Sequence, residues 1–259
     1  MNFENKIAVV TGGGRGLGQE VSLALASLGA TVVLSGRTAK PLEETKAAIE
    51  ANGGKASVYA GDMADAESVK QFAAEVLDQY GQVDVLVNNA AIGGPSAPLW
   101  EVEVDEWKET LDINTTGPFL TSRAFLPSMI EKKSGSLVFV GSMTGKRELL
   151  NRTAYAASKI ALVGLVRTLA WEVGPYGIRA NIVSPGPMEG ERIEWVLEQQ
   201  AERENITVEA ARSRLASRSP LGRFVSTQDV VNAILFLASD DAGSTTGEDL
   251  NVSSGICAY

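Results

Sequence analysis

Histidine is absent from this 259-residue chain, and cysteine occurs once, at Cys257. The first absence removes Ser–His and Cys–His nucleophilic mechanisms and every His-ligated zinc site. The second removes an internal disulfide and any cysteine cluster for a metal, so no metal centre is expected. No apolar run approaches the ~20 residues of a membrane span, and no membrane partner is expected. Basic residues are outnumbered, 23 Lys and Arg against 32 Asp and Glu, for a net charge of −9. That deficit speaks against a nucleic-acid footprint and favours solubility. The opening stretch MNFENK lacks the basic and then apolar pattern of a signal peptide, which makes a cytoplasmic location the expectation. Any chemistry must run on Tyr, Lys, Ser, Asn and carboxylates, with or without a borrowed organic cofactor.

What is present is an ordinary globular composition, 44% apolar and 21% charged. Lys6 to Thr11 is a short β-branched run of the kind that forms a buried parallel strand. A glycine turn follows, Gly12 to Gly18, and then a helical pattern to Leu28 that Gly29 closes. Strand, glycine turn and helix start form a place where backbone N–H groups and a helix dipole can hold a pyrophosphate. The spacing G-x-x-x-G-x-G does not match the G-x-G-x-x-G fingerprint, and a glycine cluster alone can be merely a tight turn.

Strands over Thr31–Gly36, Ala56–Ala60, Val83–Val87, Ser136–Val140, Ile178–Val183 and Asp249–Val252 alternate with helices. The helices are expected over Pro41–Ala51, Ala66–Tyr80, Glu103–Ile113, Gly117–Glu131, Ile160–Val173 and Thr227–Ser239. This alternation predicts an α/β fold, a doubly wound seven-stranded parallel sheet with helices on both faces. Gly12, Gly36, Asp62, Asn88 to Ala91 and Ser142 all fall at carboxyl ends of strands, where such sheets bind ligands. With no break in composition, residues 1–259 read as a single domain. The charged helical stretch 188–219 is read as an insertion, either a solvated excursion or a lid over a substrate.

The chemistry is expected at Thr153 to Lys159. Tyr155 and Lys159 lie four apart on one helical face, with Cβ atoms roughly 6 Å apart. A phenol is a poor proton donor or acceptor near neutrality because its reference pKa is about 10. A nearby ammonium favours the phenolate and brings that pKa toward a useful range. Taken alone, the pair is better explained by a surface tyrosine above a solvated lysine; the motifs around it overturn that reading.

In order along the chain stand Thr11-Gly12-x-x-x-Gly16-x-Gly18, Asn88-Asn89-Ala90, Asn114, Ser142, Tyr155-x-x-x-Lys159 and Asn181-x-x-Ser184-Pro185-Gly186. This set resembles the short-chain dehydrogenase/reductase family, in its short single-domain branch, over essentially the whole chain. The resemblance implies that Tyr155 exchanges the proton of an alcohol or carbonyl and that Lys159 tunes it and holds the nicotinamide ribose. It implies that Ser142 bonds the substrate oxygen, and that Asn114 interrupts its helix and holds a water linking Lys159 to solvent. Gly12, Arg15, Gly16, Leu17 and Gly18 would bind the cofactor. Asp62 would meet the adenine, with Met63 in the same cofactor-binding set, Asn89 would meet the adenosine ribose side, and Pro185 to Met188 the nicotinamide amide. Ala91, Gly190 and Ser253-Ser254 depart from the family's frequent Gly, Thr and Asp-Gly. A homotetramer is likewise implied; the apolar residues Leu162, Val163 and Val166 around one helix support only an oligomer.

The second strand ends Leu34-Ser35-Gly36-Arg37 with no acid before Glu43. A carboxylate there would take the ribose hydroxyls of NAD and repel a 2′-phosphate. Arg37 offers a planar fork to a phosphate, and Arg15 approaches from the glycine turn, so NADP is expected over NAD. Arg152 is either an anion-binding residue for substrate or a structural arginine. Leu149, Leu150, Trp100 and Trp195 either line an apolar pocket or belong to the core. The expected activity is interconversion of a secondary alcohol and a ketone, a small-molecule substrate. The alternatives are an NAD-dependent dehydrogenase of a small polar or hydroxy-acid substrate, and a non-catalytic nucleotide sensor on the same fold. Epimerase or dehydratase chemistry on a related sheet is disfavoured.

Overall fold

A computed structural model describes residues 1–258, apart from the side chains of residues 191, 192, 195, 199 and 200. β1 (Ile7–Thr11) leads through the glycine turn into α1 (Gly16–Ser27), then β2 (Thr31–Gly36), α2 (Ala39–Ala51) and β3 (Lys55–Ala60). α3 (Ala66–Tyr80) and β4 (Val85–Asn88) follow, then α4 (Val104–Leu111), α5 (Gly117–Lys132) and β5 (Gly135–Val140). α6 (Thr153–Val173), β6 (Ile178–Pro185), α7 (Glu191–Glu204), α8 (Val208–Ala216), α9 (Thr227–Ala238) and β7 (Asp249–Val252) complete the order. Local chemistry sets several ends. Asp65 accepts the Ser68 N–H to start α3, and Gly81, left-handed at φ 70°, stops it.

The strands form one sheet in the order β3-β2-β1-β4-β5-β6-β7, every pairing parallel. The doubly wound seven-stranded sheet expected from the alternation is the one observed. Its order reverses between β1 and β4, which opens a crevice beyond their carboxyl ends.

Side-chain alternation divides each inner strand between two apolar layers. Val10, Leu34 and Val138 pack with Leu25 of α1, Ile49 of α2 and Ile234 of α9. Val9, Val33, Leu137 and Phe139 pack with Phe72 of α3, Phe125 of α5 and Leu162 and Val166 of α6. Each such side chain stabilises the fold by ~1.5–3 kcal/mol when fully buried. Phe72 and Phe125 meet edge to face, 5.5 Å between centroids at 88°, and so fix α3 against α5. α6 therefore lies flat on the sheet, with its first turn over the carboxyl end of β5.

Some boundaries depart from the sequence reading. α4 and α5 do not simply meet at Asn114; a π-helical turn over Asp112–Thr116 joins them in one run. β6 runs past Val183 to Pro185 because β7 continues to pair with it there. Its register with β5 ends at Val183, so proline's missing N–H costs no ladder bond on that side. The 188–219 stretch is two helices, tied by Arg212 to Glu194. They share a small core of Leu197, Ala201, Ala211 and Phe224.

Candidate active site

The glycine turn hangs on the end of β2, where Gly12 and Gly13 give their N–H groups to Ser35 O at 2.7 and 3.2 Å. A Cβ on Gly18 would stand 2.2 Å from Gly12 O, and one on Gly12 would stand 2.9 Å from Asn89 Nδ2. No side chain fits at Gly18 without moving backbone, and at Gly12 the left-handed φ of +68° strains any other residue. Asn89 braces the same turn, donating Nδ2 to Thr11 O at 2.9 Å and to Gly12 O at 3.3 Å. Thr11 Oγ1 in turn accepts the N–H groups of Asn89 and Ala90, each at 3.0 Å. These bonds close β1 against β4 at the point where the strand order reverses.

The front of the turn is different. Gly16 opens α1 at φ +54° with nothing within 4 Å of where its Cβ would be. Arg15 caps the helix without a side-chain hydrogen bond, and the first turn holds no acid. The leading N–H groups of a helix need acceptors, and its dipole favours an anion there. A pyrophosphate fits this opening, and so does the nucleotide cofactor that carries one. Leu17 packs on the core behind it. Met63 is buried in the other layer, while Asp62 Oδ1 accepts the Ala64 N–H at 2.9 Å. Arg37 is exposed at the end of β2, its Nη1 3.9 Å from Glu109 Oε1 of α4.

On the other side of the crevice, the start of α6 faces the end of β5. Lys159 is buried, and its Nζ donates to Val140 O at 2.8 Å. The same ammonium lies 5.8 Å from the centre of the Tyr155 ring. The Arg152 guanidinium lies 5.7 Å from that ring and donates Nη2 to Gly93 O at 2.7 Å. Two cations thus stand within 5.8 Å of the centre of the phenol ring. Ser142, two residues past β5, accepts the Thr144 N–H on Oγ at 3.1 Å. Because a hydroxyl carries one donor and two acceptor sites, its own hydrogen is left to point elsewhere.

Asn114 sits fully buried in the π-helical turn. Its Oδ1 accepts Ile92 N–H at 2.8 Å, and its Nδ2 donates to Ile92 O at 2.9 Å and to Ser158 Oγ at 3.0 Å. Ser158 Oγ donates a hydrogen bond to Tyr155 O at 2.8 Å, and Thr115 Oγ1 donates to Ser158 O at 3.0 Å. One amide therefore holds the loop after β4 and the first turn of α6 in register. The segment from Pro185 to Met188 leaves β6 and is pinned by Gly186 N to Val252 O at 2.8 Å and Val225 N to Pro187 O at 2.9 Å.

Some sequence expectations are not met. Trp100 and Leu150 are 84% and 83% exposed, and Leu149 is exposed too, so the three do not belong to the core. They sit on outer loops whose backbone runs over the surface. Trp195 lies outside the described side chains. Thr11 was quoted in the glycine motif without a role, and Ser158, Thr115 and Ile92 were given none, although Ser158 stands next to Lys159.

The profile described as short chain dehydrogenase matches residues 6–201. The 3-oxoacyl-[acyl-carrier-protein] reductase FabG of Escherichia coli is 33% identical over 99% of this chain and 99% of its own length. An uncharacterized oxidoreductase of Bacillus subtilis is 35% identical over 99% of this chain and 93% of its own. Among solved structures, NAD+-bound xylitol dehydrogenase superposes with a TM-score of 0.92 at 30% identity, covering 98% of this chain and 100% of that one. A variant of actinorhodin polyketide ketoreductase with NADPH gives a TM-score of 0.92 at 30% identity, covering 98% of each chain.

Proposed function

The chain belongs to the short-chain dehydrogenase/reductase family of oxidoreductases, and from that premise we propose that it interconverts a secondary alcohol and a ketone with NADP(H). The observation that carries this reading is the phenol of Tyr155 beside the buried ammonium of Lys159, which Val140 holds at the carboxyl end of β5. When bound, the nicotinamide supplies or accepts the hydride. The chain's own part is geometry and proton handling. Tyr155 gives its hydroxyl proton to the carbonyl oxygen, and the cation beside it favours the phenolate left behind. Ser142, with its own hydrogen uncommitted to Thr144, donates to the same oxygen. In the oxidative direction the same groups act in reverse. Asn114 keeps Tyr155 at its place by holding Ser158 and Ile92. A water held by Asn114 for Lys159 belongs to the proposal, as do the contacts of Asp62, Met63, Asn89, Pro185 and Met188 with the cofactor.

Arg15 and Arg37, both exposed at the turn and at the end of β2, support NADP, because either can meet a 2′-phosphate. A second reading, NAD(H), has one observation in its favour: Glu109 stands 3.9 Å from Arg37 and brings a carboxylate to an edge that lacks one. Titration of NADPH and NADH into the protein, followed by turnover over a panel of ketones, aldehydes, sugars, hydroxy acids and acyl thioesters, tests the proposal. Turnover with NADPH on ketones is the expected result. Tight binding with no turnover across the panel would favour the sensor.

Ile160 and Trp171 of α6 and Phe119 of α5 are exposed at 42%, 87% and 47%. The proposed homotetramer would cover such residues. Light scattering on the eluting protein is expected to give four times the mass of one chain, and a monomer mass removes that part of the proposal. Among the described residues no helix is long and apolar enough to cross a membrane; a cytoplasmic location is proposed with the rest.

A further inference from the structure

Beneath the Ser142 loop lies a polar knot that the reaction as described does not use. Lys146 places its ammonium 2.6 Å from Asp249 Oδ2 at the start of β7, and the two side chains are only 8% and 4% exposed. The same Nζ donates to Asn251 Oδ1 at 2.6 Å. The other oxygen of Asp249 accepts Ser184 Oγ at 2.6 Å. Ser184 is next to Pro185, whose carbonyl takes the Met143 N–H at 3.0 Å. One carboxylate therefore reaches in two directions. Through Lys146 it holds the loop that carries Ser142, and through Ser184 it holds the strand end proposed to meet the nicotinamide.

Stability does not explain such an arrangement. Two charges withdrawn from water are rarely better than a well-packed apolar pair of the same volume. What an ion pair adds is a fixed distance between the groups it joins. The loop needs one, since the other backbone bonds of residues 143–147 mostly close the loop on itself: Gly145 N to Arg147 O, Lys146 N to Met143 O and Arg147 N to Met143 O. Gly145 is left-handed at φ +108°, and a Cβ there would stand 3.0 Å from Ala156 O, so the turn is also seated directly on α6.

We propose that Lys146 and Asp249 are positioning residues, which set Ser142 against the Pro185 strand end for the reaction. The proposal rests on the role given to Ser142 above. Neither residue touches the reacting atoms; both act through the loop and strand they join.

The test uses the full chain and three variants: Lys146→Met, Asp249→Asn and the double variant Lys146→Met/Asp249→Leu. Four readouts are taken: the thermal midpoint, NADPH affinity, kcat with NADPH and ethyl 3-oxobutanoate, and hydrogen exchange over residues 141–147 and 183–187. Lys146→Met leaves a buried carboxylate without its cation and is expected to lower the midpoint. The double variant removes both charges and is expected to recover part of the loss, the remainder reflecting the Ser184 hydroxyl left without its acceptor. In both, kcat is expected to stay down by about tenfold or more with NADPH affinity within about twofold, because misplaced groups cost rate rather than binding. Exchange over 141–147 is expected to stay fast in the double variant. Asp249→Asn, which keeps volume and an acceptor for Ser184, is the milder break, with a loss in kcat of about threefold. A folded double variant with the kcat of the parent overturns the proposal whatever its midpoint, because the pair then does not set Ser142 for the reaction. If the double variant does not fold, parental kcat in folded Asp249→Asn overturns it equally. A parent that binds NADPH but does not reduce the probe counts against the proposed function instead. The exchange measurement then still decides whether the pair holds the loop.

Discussion

The two sides of the crevice are made of different material. On the β1–β4 side, from Gly12 to Gly18, shape comes from backbone, and side chains such as Asn89 and Thr11 brace it. On the β5–β6 side, from Ser142 to Lys159, the backbone is ordinary helix and loop, and shape comes from side chains held by other side chains. The difference teaches where each kind of change will be felt. A backbone cradle fails when an atom is added to it. A side-chain constellation fails when a functional group is taken away, even if volume is kept.

The largest expected effect is on the side-chain half. Tyr155→Phe removes one oxygen from a ring near both Lys159 and Arg152, and kcat is expected to fall by about 10³-fold, within the usual range for a general acid. NADPH affinity, measured by calorimetry, is expected to remain. Loss of both together would break the contrast between the halves.

Gly18→Ala probes the other half. The new Cβ would stand 2.2 Å from Gly12 O and 2.5 Å from Asn89 Nδ2. Overpacking of this kind costs ~1–3 kcal/mol, and the turn that shifts to relieve it is the one that faces the cofactor. Thermal melts should show a lower midpoint, and nucleotide binding should weaken more than the melt alone explains. A variant that binds normally would show that the cradle is not where the nucleotide sits.

Arg37→Asp sharpens the comparison at the rim. An arginine bonded to a phosphate contributes ~1.5–3 kcal/mol, so the ratio of NADPH to NADH affinity is expected to fall by about 10- to 100-fold. An unchanged ratio would favour the NAD(H) reading, with Glu109 in the part otherwise played by a β2 carboxylate.

The smallest effect is expected away from both halves, at the start of α9. Ser226 caps that helix by accepting the Asp229 N–H. The side-chain hydrogen bond with Ser226, and then the Arg223 guanidinium, hold the Asp229 carboxyl below its ordinary 3.8. A lowered carboxyl stabilises the fold above the unfolded value, and that contribution is lost as pH falls through the folded value. The group is exposed, so Asp229→Ala should cost only a few tenths of a kcal/mol at neutral pH, about what a solvated pair contributes. The difference from the parent should shrink as pH falls from the ordinary value through the lower folded one, until the carboxyl is protonated in both the folded and the unfolded chain.

The glycine turn, the strand ends and the Tyr155-x-x-x-Lys159 register were legible because each depends on neighbours within a turn or a strand. Gly12, Gly16 and Gly18 could be placed between a β-branched run and a helical one without knowing what they face. Asn114 was legible as a candidate but not as what it does. Its partners Ile92 and Ser158 stand 22 and 44 positions away. Trp100 and Leu150 misled for the converse reason, since an apolar side chain in a loop carries no local sign of whether the fold covers it.

Sequence alone determined the βα alternation, the places where strands end and the types of group that could carry chemistry, because hydrophobic period and turn residues act over a few positions. Only tertiary structure decided which of those groups meet. Lys146 finds Asn251 across 105 positions, Arg152 finds Gly93 across 59, and Lys159 finds its carbonyl at the end of β5. Such partners are chosen by strand order and by which side chains a parallel sheet buries, and neither is encoded in any short stretch of chain.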